Sequence, residues 1–391
     1  MMFFQTEDAW KKSGGFHTAH EILQQPETWR KTFEQIRDRH AELRAFIQEI
    51  AGKENCDLIL TGAGTSDFIG NALAPVLQKQ YGYNVKSYAT TDITADPEEY
   101  LSRTKPTLLV SFARSGNSPE SVAAVQLAEE ICGEVRHLII TCNENGALCH
   151  FARSHENCDL IVLTPETNDQ AFAMTSSFTC MYLAAYLAFQ NEITEETELL
   201  LTEVTKQAEA YLTEGWKTAY QIVSEFDFDR IIYLGTGALK GIARESALKI
   251  CELTQGDVDT VYDSPMGFRH GPKSVIKDSA LCVVYLSDDA YTRQYEYDII
   301  REMSHQRRAN RILTVSSRED DIRNETDYFI SFNAGASVPS VFGGLEYILA
   351  AQTLALFKSL KTGHMPDDPC PSGEVNRVVQ GVTVYPYEVK Q

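Results

Sequence analysis

The residues best suited to chemistry lie in short loops. SFARSGNSPES, residues 111–121, places Ser115, Gly116 and Ser118 around a predicted helix start, with Pro119 at the first helical position. Hydroxyls and flexible backbone at a helix N-terminus suit a phosphate monoester, because the N–H groups there favour negative charge, and Arg114 adds a cation. A purely structural account covers the same residues: Ser118 caps the helix and Ser115 makes the turn. An earlier loop, GAGTSDFIG (62–70), follows an apolar run and opens a helix whose Ile69, Leu73, Val76 and Leu77 share one stripe. It resembles a dinucleotide fingerprint only superficially. The third-glycine position is Asp67, whose carboxylate would sit near a pyrophosphate, and the similar GTGALKG (235–241) has the wrong spacing.

Proton transfer needs a positioned carboxylate or imidazole. In GALKGIARESALKICELTQG (237–256), Leu239, Ile242, Ala243, Ser246, Ala247 and Ile250 form a packed stripe, while Glu245, Lys249 and Glu252 fall on another face. That row reads equally as a solvated salt-bridge ladder. In YDSPMGFRHGPKSVI (262–276), His270 sits between Arg269 and a Gly-Pro turn, and a lone histidine is commonly structural or exposed. The soft ligands of CHFARSHENC (Cys149, His150, His155, Cys158) lack zinc-site spacing, so no metal is expected.

These loops need a scaffold that sets strand ends beside helix starts. Short apolar runs at 58–60, 107–112, 138–141 and 160–163 alternate with helix-period segments, the signature of βαβ units on a parallel sheet. A second series at 231–234, 281–286, 312–315 and 328–331 opens much as the first does, LILTGAGTSDFIG beside IIYLGTGALKGIA. The expectation is an α/β protein with a duplicated domain: an N-terminal helical segment (1–50) broken at Pro26, a first domain (51–215), and a second (216–391) ending in a Pro- and Gly-rich tail with a short β-like end.

Asp plus Glu number 55 against 35 Lys plus Arg, a formal net charge of −20, which makes nucleic acid and anionic membranes poor partners. The 43% of apolar residues supplies a sizeable core, and nine scattered cysteines without close pairing fit a reducing, cytoplasmic setting. No targeting or membrane-spanning segment is expected.

GAGTS, SFARSGNS, RESALKICEL and RHGP, in this order over essentially the whole chain, resemble the double sugar isomerase (SIS) domain proteins, including the isomerase half of glucosamine-6-phosphate synthase. EILQQPETW, HGPKSVI and the tail HMPDDPCPSGEVNRVVQGVTVYP narrow the resemblance to the tagatose-6-phosphate ketose/aldose isomerase and galactosamine-6-phosphate deaminase family. The resemblance implies two SIS domains, each a flavodoxin-like parallel sheet flanked by helices. It also implies a hexose 6-phosphate substrate, no cofactor, and a homodimer or higher homo-oligomer. By the same resemblance Gly64, Thr65, Ser66, Arg114, Ser115, Gly116 and Ser118 line the sugar-phosphate site, and Glu252 moves the proton between C1 and C2. His270 serves ring opening, reaching a neighbouring subunit's site.

The chain departs from the synthases in three places. Ala113-Arg114-Ser115-Gly116 replaces their Ser-Gln-Ser-Gly loop, Gln380 stands where their tail carries a lysine, and their glutaminase half has no counterpart in this sequence. The expected activity is therefore deamination of galactosamine 6-phosphate to tagatose 6-phosphate and ammonia. The alternatives are ketose/aldose isomerisation of unsubstituted hexose 6-phosphates, or sugar-phosphate sensing without chemistry.

Overall fold

Two five-stranded sheets, every pairing within them parallel, organise the computed structural model, which describes residues 1–306, 308–333, 335 and 338–388. The first contains β1 (Asp57–Gly62), β2 (Val85–Ala89), β3 (Thr107–Ala113), β4 (Val135–Thr141) and β5 (Cys158–Val162), in the order β2-β1-β3-β4-β5. The second contains β6 (Arg230–Leu234), β7 (Asp259–Asp263), β8 (Ala280–Tyr285), β9 (Arg311–Ser316) and β10 (Tyr328–Ser331), in the order β10-β9-β8-β6-β7. Counted from its own first strand, each sheet has the flavodoxin-like order 2-1-3-4-5, in which ligands bind beyond the carboxyl ends of the strands.

Eight of these strands fall on the apolar runs of the sequence. The other two, β2 (VKSYA) and β7 (DTVYD), are edge strands with mostly half-exposed residues, so they lack the continuous apolar run of β1 and β3, which are buried throughout. The β-like end expected in the tail does not form: Val382–Val384 pair with no strand among the described residues.

By internal packing the chain divides into two units, each interrupted in sequence. The first holds β1–β5 and comprises Glu27–Asp169, Ser176–Thr194 and the residues from Ser372 onward. Its core includes Ile59, Leu109, Ala124, Leu127 and Ile139, and the helix Ser176–Phe189 is buried all round. The second holds β6–β10 and comprises Met1–Pro26, Gln170–Thr175 and Glu195–Pro371, with Ile232, Val284, Ile299 and Ile312 in its core. One of its helices, Ser340–Lys361, is long and apolar enough to cross a membrane, but 94% of its most apolar stretch is buried inside the protein. Pro26 stands in the first turn of the helix Gln25–Ala51, which follows the separate helix Phe16–Leu23.

Candidate active site

In the first unit β1 and β3 are neighbours, so the loops that follow them stand side by side at the carboxyl edge of the sheet. The β1 loop turns tightly. A Cβ on Gly62 would lie 2.5 Å from the Ser66 carbonyl carbon, and Gly64 has φ +56°, so both positions require glycine. The turn delivers Thr65, Ser66 and Asp67 as the buried first residues of the helix Thr65–Tyr81. Asp67 accepts from Asn71 Nδ2 at 3.2 Å, which places a carboxylate where a dinucleotide-binding loop would need glycine.

The β3 loop is braced from the loop after β4. Asn143 Nδ2 donates to the Ser115 carbonyl at 2.8 Å, the Ala147 N–H to Asn117 Oδ1 at 2.9 Å, and the Leu148 N–H to the Gly116 carbonyl at 3.1 Å. Gly116 adopts φ +66°. Ser118 has the extended backbone of an N-cap, and its carbonyl accepts from the Ser121 and Val122 N–H groups, yet its hydroxyl caps no N–H. The capping account of this side chain therefore fails, and the half-buried hydroxyl stands beside a helix N-terminus, where an anion is favoured.

Arg114 is buried, and its Nη2 donates to the Arg377 carbonyl at 2.6 Å. Arg377 in turn donates through Nε to the Asp169 carbonyl at 2.9 Å and through Nη2 to Asn168 Oδ1 at 3.1 Å. The Asp169 carboxylate caps the helix Ser176–Phe189 through the Ser176 and Ser177 N–H groups, so the tail is tied to the scaffold of the phosphate-type loop. Gln380, three residues beyond Arg377, is exposed.

The second unit holds Glu252 and His270, the residues expected to carry proton transfer and ring opening. On the helix Ala238–Leu253, Lys249 Nζ donates to Glu252 Oε2 at 2.6 Å and lies 3.2 Å from Glu245 Oε1. Glu245 and Lys249 are fully buried while the Glu252 side chain is 23% exposed, so this row is not a solvated ladder. Burial alone would pull the Lys249 ammonium below its ordinary value. The two carboxylates outweigh it and hold the ammonium above that value. Removing one member of such a buried set costs about 3–5 kcal/mol, because an uncompensated charge remains. Lys249 thus fixes one oxygen of Glu252, whose side chain keeps partial exposure.

His270 is exposed, and its ring has no hydrogen bond among the described residues. Its loop is nevertheless held. Arg269 Nε donates to Glu302 Oε2 at 2.8 Å, Lys273 donates to Glu302 Oε1 and, at 2.6 Å, to Gln306 Oε1, and Gly271 takes φ +117°. Lys273, with Arg269, holds the Glu302 carboxyl below the usual carboxylate range.

The structure thus brings Thr65, Ser66, Arg114, Ser115, Gly116 and Ser118 together in one unit and places Glu252 and His270 in the other, with no hydrogen bond joining those two. Sequence reasoning passed over Lys249, Asn143 and Arg377 as site residues. The signal for Lys249 was present: a helix with so wide an apolar stripe leaves little face for water. For Asn143 the available signal was its position just after the apolar run that becomes β4.

Two flavodoxin-like sheets with a hydroxyl-rich loop on one and a buried Glu–Lys–Glu helix on the other define a double-SIS protein, and a SIS-domain family model matches residues 53–190. The chain is 44% identical over 383 residues to the D-galactosamine-6-phosphate deaminase AgaS of Shewanella sp. (strain ANA-3), covering 96% of this chain and 93% of that protein. Among solved structures, a protein of Clostridium novyi NT, provisionally assigned as a tagatose-6-phosphate ketose/aldose isomerase, superposes with TM-score 0.96 at 42% identity over 99% of both chains. The Escherichia coli tagatose-6-phosphate ketose/aldose isomerase gives TM-score 0.88 at 39% identity, over 96% of this chain and 97% of that one. The chain belongs to this family of galactosamine-6-phosphate deaminases and tagatose-6-phosphate isomerases.

Proposed function

We propose that the protein deaminates galactosamine 6-phosphate to tagatose 6-phosphate and ammonia. The Ser115 and Ser118 hydroxyls, with Thr65 and Ser66, hold the phosphate, and His270 assists ring opening. Glu252 then takes the C2 proton of the open-chain amino aldehyde, giving an enolamine, and returns a proton to C1. The product is a C2 ketimine with a C1 hydroxymethyl group. Water adds to C2, ammonia leaves, and the ketose remains, so one water is consumed and Glu252 ends as it began.

The observation that carries this reading is the clamped Glu252. A carboxylate fixed by Lys249 at one oxygen, on a side chain that is 23% exposed, suits the shuttling of a proton between adjacent carbons. Family membership supplies the sugar. Ammonia release from galactosamine 6-phosphate is expected to exceed that from glucosamine 6-phosphate by at least about tenfold, a C4 discrimination of about 1.4 kcal/mol. The reverse preference would overturn the sugar. The name carried by the Escherichia coli structure favours a second reading, isomerisation of an unsubstituted ketose phosphate by the same proton transfer. Isomerase activity without any ammonia release would select it.

We further propose a cytoplasmic homodimer in which His270 serves the neighbouring copy's site, a role its exposure suits. Mixing inactive Glu252→Gln and His270→Ala subunits is then expected to restore part of the activity. No recovery after verified subunit exchange would assign both residues to one chain's own site.

A further inference from the structure

Arg377 joins two loops at the carboxyl edge of the first sheet. Its side chain reaches the loop after β5, where Nε donates to the Asp169 carbonyl at 2.9 Å and Nη2 to Asn168 Oδ1 at 3.1 Å. Its own carbonyl accepts from Arg114 Nη2 at 2.6 Å, one residue before Ser115. The far anchor is fixed in turn: the buried Asp169 carboxylate accepts from the Ser177 N–H at 2.9 Å and the Ser177 hydroxyl at 2.5 Å, at the start of a helix buried all round. Tail residues 372–376 and 379–386 are exposed, whereas Arg377 is half-buried, so the place of its carbonyl depends chiefly on its own side chain.

The kind of acceptor matters. A carboxylate balances the charge of the arginine it holds, as Asp320 does for Arg293 Nη1 at 2.8 Å in the second unit. A main-chain carbonyl carries no net charge, so it orients a guanidinium without cancelling it. A long side chain loses rotamer freedom when it binds an anion, and one held in place beforehand has already lost it. We propose that Arg377 is a positioning residue for the sugar phosphate: its side chain fixes the tail so that its carbonyl aims Arg114, with its charge intact, at a phosphate on the Ser115 loop. This deepens the proposed function and rests on a 6-phosphate being held at that loop. The competing account is that Arg377 only fastens the tail.

Calorimetric titration of the Glu252→Gln full chain with galactosamine 6-phosphate and with tagatose 6-phosphate reads binding without turnover. Arg377→Ala in this background is expected to weaken both by about tenfold. Arg377→Lys, which keeps one donor for the Asp169 carbonyl, should recover part of that loss. In a chain already carrying Arg114→Ala, the same Arg377→Ala change should weaken binding by less than about twofold, because the group it positions is gone. Thermal melts verify the fold. Where Arg377→Ala melts early, Asn168→Ala removes one anchor, leaves the tail sequence intact and runs through the same cycle. Additive losses from Arg114→Ala and Arg377→Ala, unaltered binding in either single variant, or binding of neither ligand would each overturn the proposal. Ammonia release by the wild-type chain reports separately on the deaminase reading: its absence beside coupled losses would change the reaction and leave the role of Arg377 standing.

Discussion

The loop after β3 and the loop after β8 occupy the same place in the two sheets, and they have been put to opposite uses. Beyond β3 stand Ser115, Gly116 and Ser118, with hydroxyls beside a helix N-terminus. Beyond β8 come Ser287, Asp288 and Asp289, and carboxylates already hold the donors there. Asp289 accepts from the Thr292 N–H at 2.8 Å, Asp288 from the Ser340 N–H at 2.7 Å, and the buried Glu296 from the Ser287 N–H at 2.7 Å. The glycine turns that precede each first helix are nonetheless alike, Gly64 at φ +56° and Gly237 at φ +59°. Where the duplicated helix carries Glu245 and Lys249, the first has Ala72 and Val76. The difference teaches a divergence of the two copies: carboxylates take up the donors of the second loop, whereas the Ser118 hydroxyl of the first caps no N–H, and only the second copy's helix carries a buried Glu–Lys–Glu set.

The sharpest test of this division falls on the second copy's helix. Glu252→Gln keeps the shape but removes the base, so turnover should fall on the order of 10²–10⁴-fold with sugar-phosphate binding retained. Near-normal turnover would return the residue to a structural role.

Next in size is a change that makes the first loop like the second. Ser115→Asp puts a carboxylate where phosphate is expected and should weaken 6-phosphate binding by roughly 100-fold or more, since like charges at close range cost several kcal/mol. Ser287→Ala in the closed loop should leave binding within about twofold. Equal losses from both would erase the contrast.

The smallest effect concerns the acid that closes the second loop. Burial pushes the Glu296 carboxyl up to about 7, against hydrogen bonds and Arg293 that pull the other way. The fold therefore favours the protonated side chain. Stability linked to this group is fully present below its unfolded value near 4.5 and is lost as pH rises through about 7. Glu296→Gln mimics the protonated form, so its stability advantage over wild type should grow between pH 5 and 8 by on the order of 1–3 kcal/mol in denaturant titrations. A gap that does not change with pH would show that Glu296 does not titrate in this range.

Much of this contrast was legible in the sequence. Eight apolar runs gave eight strands, and the paired glycine turns revealed the duplication. The strands that escaped, β2 and β7, are edges whose side chains are half wet, so composition does not mark them. The types of Ser115 and Ser118 suggested an anion site and the family resemblance suggested proton transfer by Glu252, but what each side chain contacts was not readable. Glu–Lys–Glu spacing is the same on a wet face and in a core, and only packing buries Lys249. Whether Ser118 caps its helix depends on a side-chain rotamer, and the bond from Arg114 to the Arg377 carbonyl joins residues far apart in the chain.

The interleaving of the two units also bears on synthesis. The first unit needs residues from Ser372 onward, which leave the ribosome after the second unit's last segment, while the second needs Met1–Pro26, which emerge before every residue of the first. Domains ordinarily fold in order as they emerge. Here Met1–Pro26 precede by far the segment of their own unit that starts at Glu195, and the bonds of Arg377 with Asp169 and Arg114 can form only after the second unit's residues have been made. A cut between Thr194 and Glu195 therefore yields two fragments that each lack a piece of their own unit.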